Sequence, residues 1–447
     1  MMRHSGIAAL LAILAGQPGL AQEPIDVGSR KQLFIDDLFI AESSGVTLTM
    51  NPPVKRERVD VGPMWQDNPR VDFGAVFYDP KAPPEQRYKR TLLKGEMKDT
   101  ETGGLYIQYS ADRTNWTEVP QRVFPFWPDG ENNMFYDPHK DIYVAHFRQW
   151  IPAGDGTDRM MRSVGRLEVE DPLQPWPIPE QNARVFMWGQ DRLPAPGPGF
   201  QTVLATDERD PGECDFYDHG IFRYPWADRV YLAFPVLYRH FPPPPQGELA
   251  NDGLVDVQLA TSRDGVTWRR FRGPYIDLGI SGEDPDGACI YISRGLMRNG
   301  DQLHQWYAGY PQTHGHWAGA EGNPRFNGMV VQRLDGFVSA DADYEGGELI
   351  TPPIVFEGAH LELNIDCSAA GDCRVEVQAA DGQPIEGFAL EHADLIRGNF
   401  IRKLATWRDG DPDLSALAGR PVRLRFVMHA AKLYAFQFQP DSDEQPG

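Results

Sequence analysis

Apolar residues along this chain come in short runs, and four stretches share one grammar. In GAVFYDPKAPPEQRYKRTLL, NNMFYDPHKDIYVAHFR, GIFRYPWADRVYLAFP and CIYISRGLMRNGDQLHQWYAG, a short apolar-aromatic strand leads through a polar or proline turn into a second strand bearing a tyrosine. The anchors of the first strands are Phe77, Phe135, Phe222 and Ile290. Third strands follow in GGLYIQYSADRTNW, RMMRSVGRLEVEDP, DVQLATSRDGVTW and GMVVQRLDGFVSAD. Two of these close on a turn, Ser110-x-Asp112-x-x-x-Trp116 and Ser262-x-Asp264-Gly265-x-x-Trp268. There the aspartate can bond turn amides while the tryptophan packs between sheets.

A recurring three- to four-stranded antiparallel unit predicts an all-β protein built as a β-propeller. The earlier stretch RKQLFIDDLFIAESSGVTLTMNPP supplies further strands that would complete a fifth blade and remove exposed edges. A five-bladed propeller over residues 22–343 is therefore expected. Beyond it, HLELNIDCSAAGDCRVEVQAADGQPIEGFAL and RPVRLRFVMHAAKLYAFQFQP alternate apolar and polar residues at period two. Residues 344–447 read as a separate antiparallel β-sandwich, accessory to the propeller in packing or sugar binding.

Composition agrees with this picture. Hydrophobic residues make up 41% of the chain and aromatics 11%, enough for a packed core. The 39 prolines and 44 glycines are scattered, which suits many turns and argues against a helical protein. A net charge of −21 disfavours nucleic acid or an anionic membrane as partner. Residues 1–21 read as a secretory signal, with Arg3, an apolar run from Ile7 to Ala15 and a small-residue cleavage site at Ala21. The mature chain is then secreted or periplasmic, and no later run reaches the ~20 apolar residues of a membrane span.

The four cysteines allow three pairings. Cys367 and Cys373 bracket the turn-like SAAGD and could close a hairpin, which leaves Cys214 with Cys289. Zinc is the rival reading, but no pair has the CxxC spacing. Two disulfides are expected, and no metal site. The sequence leaves the oligomeric state open.

Candidate chemistry enters with DERDPGECDFYDHG, residues 207–220, which crowds six carboxylates ahead of an apolar strand. Such a run is commonly a solvated loop. However, an acid stands ahead of every repeat: Asp67 before the first, Asp129 before the second, Glu213 and Asp215 before the third, and Glu283, Asp284 and Asp286 before the fourth. First strands of propeller blades line the central channel, so these acids are expected to converge at its mouth. Convergent carboxylates repel unless a proton, a cation or a substrate intervenes. Glycoside hydrolysis uses such a set, one carboxyl protonated and another ionised. Calcium, which takes six to eight oxygens, is the alternative, held by these acids in a non-catalytic carbohydrate-binding propeller. Within the run, Glu213 and Asp218 are expected to raise the pKa of Asp215 and make it the proton donor.

The stretches RKQLFIDDLFIAE, DGENNMFYDP, DFYDHGIFRYPWADRVYLAFPVLYRHF, NDGLVDVQLATSRDGVTWRR and RLDGFVSADA resemble a family of secreted bacterial proteins filed as glycosyl hydrolases. That family is similar to the five-bladed propeller enzymes of glycoside hydrolase families 32, 43 and 68. The resemblance implies a carbohydrate substrate and three acids from successive blades. By blade order these are Asp67 as nucleophile or base, Asp129 as stabiliser, and Asp215 or Glu213 as proton donor. Asp36 and Asp37 are rivals for the first role. The invertase signature WMNDPNG is absent, which argues against fructan hydrolysis.

Other residues are placed to touch a sugar. Arg148 and Arg162 lie on second and third strands and could grip a hydroxyl or carboxylate. Tyr238, Arg239 and His240 precede a four-proline loop, and His314 and His316 occupy the equivalent point of the next unit. Together they could instead serve a polysaccharide lyase, which abstracts a proton beside a neutralised uronate. Trp127 and Trp317 are candidate sugar platforms.

Overall fold

The computed structural model describes residues 23–56, 76–95, 101–179, 184–186, 194–210, 212–242, 251–317 and 325–440. Residues 1–21, Asp67 and the proline loop lie outside the described residues.

Each sequence repeat folds into an antiparallel set of four strands, and Phe77, Phe135 and Ile290 fall on first strands, whereas Phe222 lies on a short strand beside the third set. A parallel bridge between Val255 and Cys289 joins the third and fourth sets into one eleven-stranded sheet. The first sheet runs Val76–Tyr78, Tyr88–Lys94, Gly104–Ser110, Thr117–Glu118. The second runs Asn132–Asp137, Ile142–Pro152, Met160–Val169, Gln201–Leu204. The third is Cys214–Asp218, Val236–His240, Gly253–Ser262, Arg269–Ile276, with the short strands Phe222–Arg223 and Tyr231–Ala233 beside it. The fourth is Cys289–Ile292, Gln302–Tyr310, Phe326–Arg333 and, from the start of the chain, Val54–Arg56. An N-terminal strand thus covers the outer edge of the last sheet, where an open edge would invite pairing with other chains. Four such four-stranded sets are present among the described residues.

Both closing turns form as the spacing predicts. Asp112 accepts from the amides of Thr114 and Asn115 at 2.8 Å each, and Asp264 from Val266 and Thr267 at 2.8 and 2.7 Å. Trp268 packs against the core shared by the first three sheets, while Trp116 lies half-buried under Arg90.

The sandwich also forms, with one difference in what builds it. The segment expected to make a fifth blade belongs here instead. Ile25–Gly28 pairs in parallel with Ile354–Phe356, whereas Glu42–Ser44 pairs antiparallel with Gly347–Ile350 and Val46–Met50 antiparallel with Val338–Ala342. The physical reason lies in LFI, apolar at three consecutive positions. Phe34 enters the sandwich core, while Leu33 and Ile35 enter the core of the third and fourth sheets. A strand with two apolar faces needs cover on both sides, and the boundary between the two cores supplies it. Elsewhere in the sandwich period two holds: Val422–His429 alternates buried and half-buried along its whole length.

The expected disulfides are a correction. All four cysteines are free and buried. Cys214 packs in the core of the first three sheets and Cys289 in that of the last two, its Sγ 4.0 Å from the Gly253 carbonyl. Cys367 and Cys373 share the sandwich core without bonding. Burial pushes the Cys214 thiol up to about 11 and that of Cys289 to about 12, so packing alone accounts for them.

One buried ion pair ties the first sheet to the second. Lys89 Nζ lies 2.5 Å from Asp79 Oδ2, and the Tyr143 hydroxyl donates to both oxygens of Asp79 at 3.0 Å. Lys89→Met would leave that carboxylate buried with only the Tyr143 hydroxyl and the Lys81 amide, at 2.9 Å, and no cation against it. Urea melts should show a loss of about 3–5 kcal/mol, the usual cost of orphaning a buried charge. Adding Asp79→Asn to the variant should restore most of it.

Candidate active site

The site is built around the turn that feeds the first strand of the second sheet. Asp129 and Gly130 both adopt left-handed backbone, with φ of 55° and 51°. For Gly130 the reason is contact as well as conformation. A Cβ there would lie 2.1 Å from Arg148 Nη2 and 2.7 Å from Asp218 Oδ1. Glycine lets the buried Arg148 guanidinium come up against the turn.

Arg148 then spans two carboxylates. Its Nη1 lies 2.7 Å from Asp129 Oδ2, and its Nη2 lies 3.3 Å from Asp218 Oδ1 and also donates to the Tyr217 carbonyl. The guanidinium carbon sits 4.3 Å from the Tyr217 ring centroid. The amide of Glu131 donates to Asp218 Oδ1 at 2.8 Å. The Glu131 carboxylate accepts from the amides of His219 and Gly220 at 3.1 and 2.7 Å, and Arg294 Nε from the fourth sheet reaches it at 2.5 Å. Second, third and fourth sheets therefore meet at this point.

Two aspartates three residues apart end up electrostatically opposite. Asp218 is pushed up to about 7, first by burial and then by the negative charge of Glu131, against the pull of Arg148. Burial acts on Asp215 in the same direction, but Arg162 and His240 overcome it and hold Asp215 at about 2. Arg162 Nη1 lies 2.9 and 3.2 Å from the two Asp215 oxygens, the Arg162 amide donates at 3.1 Å, and His240 Nε2 is 3.3 Å away. The expectation that Asp215 carries the raised pKa is thus overturned. The Arg162 guanidinium lies against Asp215, and the carboxyl that keeps its proton towards neutral pH is Asp218.

Aromatic rings form one wall beside Arg148 and Arg162. His314 lies 4.9 Å from Tyr217 and 4.7 Å from Tyr238 between ring centroids, and Tyr238 lies 4.0 Å from His240. Tyr291 Oη and His314 Nδ1 are 2.7 Å apart. Burial, then Arg162 and Arg148, lower His314 to about 4, so its imidazole is neutral at pH 7.

Of the residues singled out in the sequence, Asp129, Asp215, Arg148, Arg162, Tyr238, His240 and His314 come together here. Glu213 is at the rim, half-exposed and 3.0 Å from Arg159. Asp286 is buried in the fourth sheet with Lys55 Nζ at 2.7 Å and the Tyr307 hydroxyl at 2.9 Å. Arg239 pairs with Asp256 at 3.1 Å, and His316 with Asp252 at 3.0 Å. Asp36 and Asp37 pair with Arg263 and Arg269 where the N-terminal segment meets the third sheet. Trp127 is half-buried, its backbone amide bonded to Pro194. Glu131, Asp218, Tyr217 and Arg294 were not singled out as site residues. A tighter search of the same acidic stretches would have reached the two carboxylates, whereas nothing local marks Arg294.

Among the described residues, no group of three or more His, Cys, Asp or Glu side chains is arranged to hold a metal ion.

No protein-family model and no curated protein matches this chain. Among solved structures it is similar to a glycoside hydrolase at 13% identity and TM-score 0.35, spanning 55% of this chain and 62% of that one. It is also similar to a GH43_12 retrieved from capybara gut metagenome (9% identity, TM-score 0.35, 91% of this chain and 96% of that one). A third similar structure is the Bombyx mori GH32 β-fructofuranosidase BmSUC1 (10% identity, TM-score 0.33, 82% and 90%).

Proposed function

We propose that the protein is an exported glycoside hydrolase acting on a poly- or oligosaccharide, with Asp218 as proton donor and Asp129 as its ionised partner. The observation that carries this reading is one guanidinium, Arg148, shared by two carboxyls, one of which is held up to about 7. A carboxyl that is half protonated at neutral pH can pass its proton to the leaving glycosidic oxygen. The Asp129 carboxylate either takes a proton from the attacking water or attacks the anomeric carbon itself, and water then completes hydrolysis. Arg148 holds both acids in register. Asp67 remains a candidate third carboxylate.

A lyase is the second reading, favoured by the neutral His314 on Tyr291 beside two arginines. One screen separates the two. Wild type and the Asp129→Asn and Asp218→Asn variants are incubated with a panel of neutral and uronic glycans, and reducing ends and ultraviolet absorbance are followed. Reducing ends without absorbance, lost in both variants, support hydrolysis. An unsaturated, absorbing product supports the lyase, and a wild type inert on the whole panel overturns both.

A further inference from the structure

Four turns meet at one end of the sandwich, each carrying the chain between its two sheets. They are Gly45 between Glu42–Ser44 and Val46–Met50, residues 343–346, residues 367–371, and Ala430 between Val422–His429 and Ala431–Gln439. Their backbones are locked to one another. The amides of Ala430 and Gly346 both donate to the Asp343 carbonyl, at 2.8 and 3.1 Å. A Cβ on Gly45, whose φ is 66°, would lie 2.4 Å from the Gly346 carbonyl oxygen. Loops fixed in this way on a rigid sandwich are a common seat for binding sites.

Between the turns lies a cavity of about 420 Å³, in the size range of small-ligand pockets. The Tyr344 ring stands at it, 72% exposed. The hydroxyls of Tyr344, Thr47 and Ser368 make no hydrogen bond to any other described residue. Asp366 accepts from the Ser368 amide at 2.8 Å and from Asn399 at 2.9 Å, which leaves acceptor capacity on both oxygens. Asp341 is held by Lys432 Nζ at 2.5 Å.

We propose that this cavity is a non-catalytic binding site for neutral carbohydrate. Tyr344 supplies the apolar face that a pyranose ring stacks on, while the free hydroxyls, Asp366 and the Asp341–Lys432 pair take its hydroxyl groups. Carboxylates accept well from vicinal sugar hydroxyls. Asp341, Asp343 and Asp366 outnumber Lys432, so the field disfavours uronic or sulfated chains. The cavity shares no residue with the Arg148 site, and the inference stands whether or not that site hydrolyses a glycan.

Native affinity electrophoresis of the whole protein tests it, in gels containing hydroxyethylcellulose, xylan, galactan or polygalacturonate. The expected result is retardation by at least one neutral polymer, with an apparent affinity at least tenfold weaker in Tyr344→Ala and in the double variant Thr47→Ala/Ser368→Ala. Asp129→Asn should migrate like wild type, and thermal melting should confirm that each variant is folded. The proposal is overturned by a wild type that no neutral gel retards, by retardation in polygalacturonate alone, or by retardation lost in Asp129→Asn and kept in Tyr344→Ala.

Discussion

Asp218→Asn should lower turnover of an unactivated glycan by about 10²- to 10⁴-fold, the usual contribution of a positioned general acid. Aryl glycosides with good leaving groups need little protonation and should keep most of their rate. In the wild type, activity should fall as pH rises through about 7, where Asp218 loses its proton, and the variant should lack that limb. The same substitution has a second signature, in stability. An unfolded aspartate titrates near 3.9, whereas folded Asp218 titrates near 7. Between those values the folded chain holds a proton that the unfolded chain has released, so this group's contribution declines as pH rises across the window. Asparagine removes the decline. The melting-temperature difference between variant and wild type should therefore move in the variant's favour from pH 4 to pH 7. A variant that cleaves unactivated glycan normally, or a difference flat with pH, would remove Asp218 from the donor role.

Arg148→Met should be the more damaging change to the fold. The guanidinium is buried and is the cation that both Asp129 and Asp218 contact. Its loss leaves two carboxylates facing each other across an apolar side chain, at a cost of about 3–5 kcal/mol, readable as a lower urea midpoint. Removing the cation also drives Asp218 further up, so any residual activity should persist to higher pH than in the wild type. Arg148→Lys separates charge from geometry. A lysine ammonium keeps the positive charge but cannot span both carboxylates as a planar fork does. It should regain part of the stability and little of the activity. Full activity in the lysine variant would show that charge alone suffices there.

Much of the fold was legible in the chain. The repeated strand-turn-strand grammar around Phe77, Phe135 and Ile290 located the first strands, because alternation and turn chemistry are local properties that survive in any tertiary setting. The N-terminal strands were legible as strands but not as to partner. Alternation says which face of a strand is apolar, not which sheet that face will meet, and only the double burial of Leu33, Phe34 and Ile35 places them between two cores. The cysteines misled because two residues that bracket a turn, as Cys367 and Cys373 do, can share a core without bonding.

In the site, the sequence by itself determined that acids precede each repeat and that Arg148 and Arg162 ride on the neighbouring strands. It could not decide which acid keeps a proton. Asp215 and Asp218 have the same side chain in the same strand, and burial raises both. The difference comes from groups distant in the chain, Arg162 and His240 beside one, Glu131 beside the other. A pKa answers to charge and solvent through space rather than along the backbone, so the pairing of strands within the third sheet and the packing of the second sheet against it together separate the two aspartates.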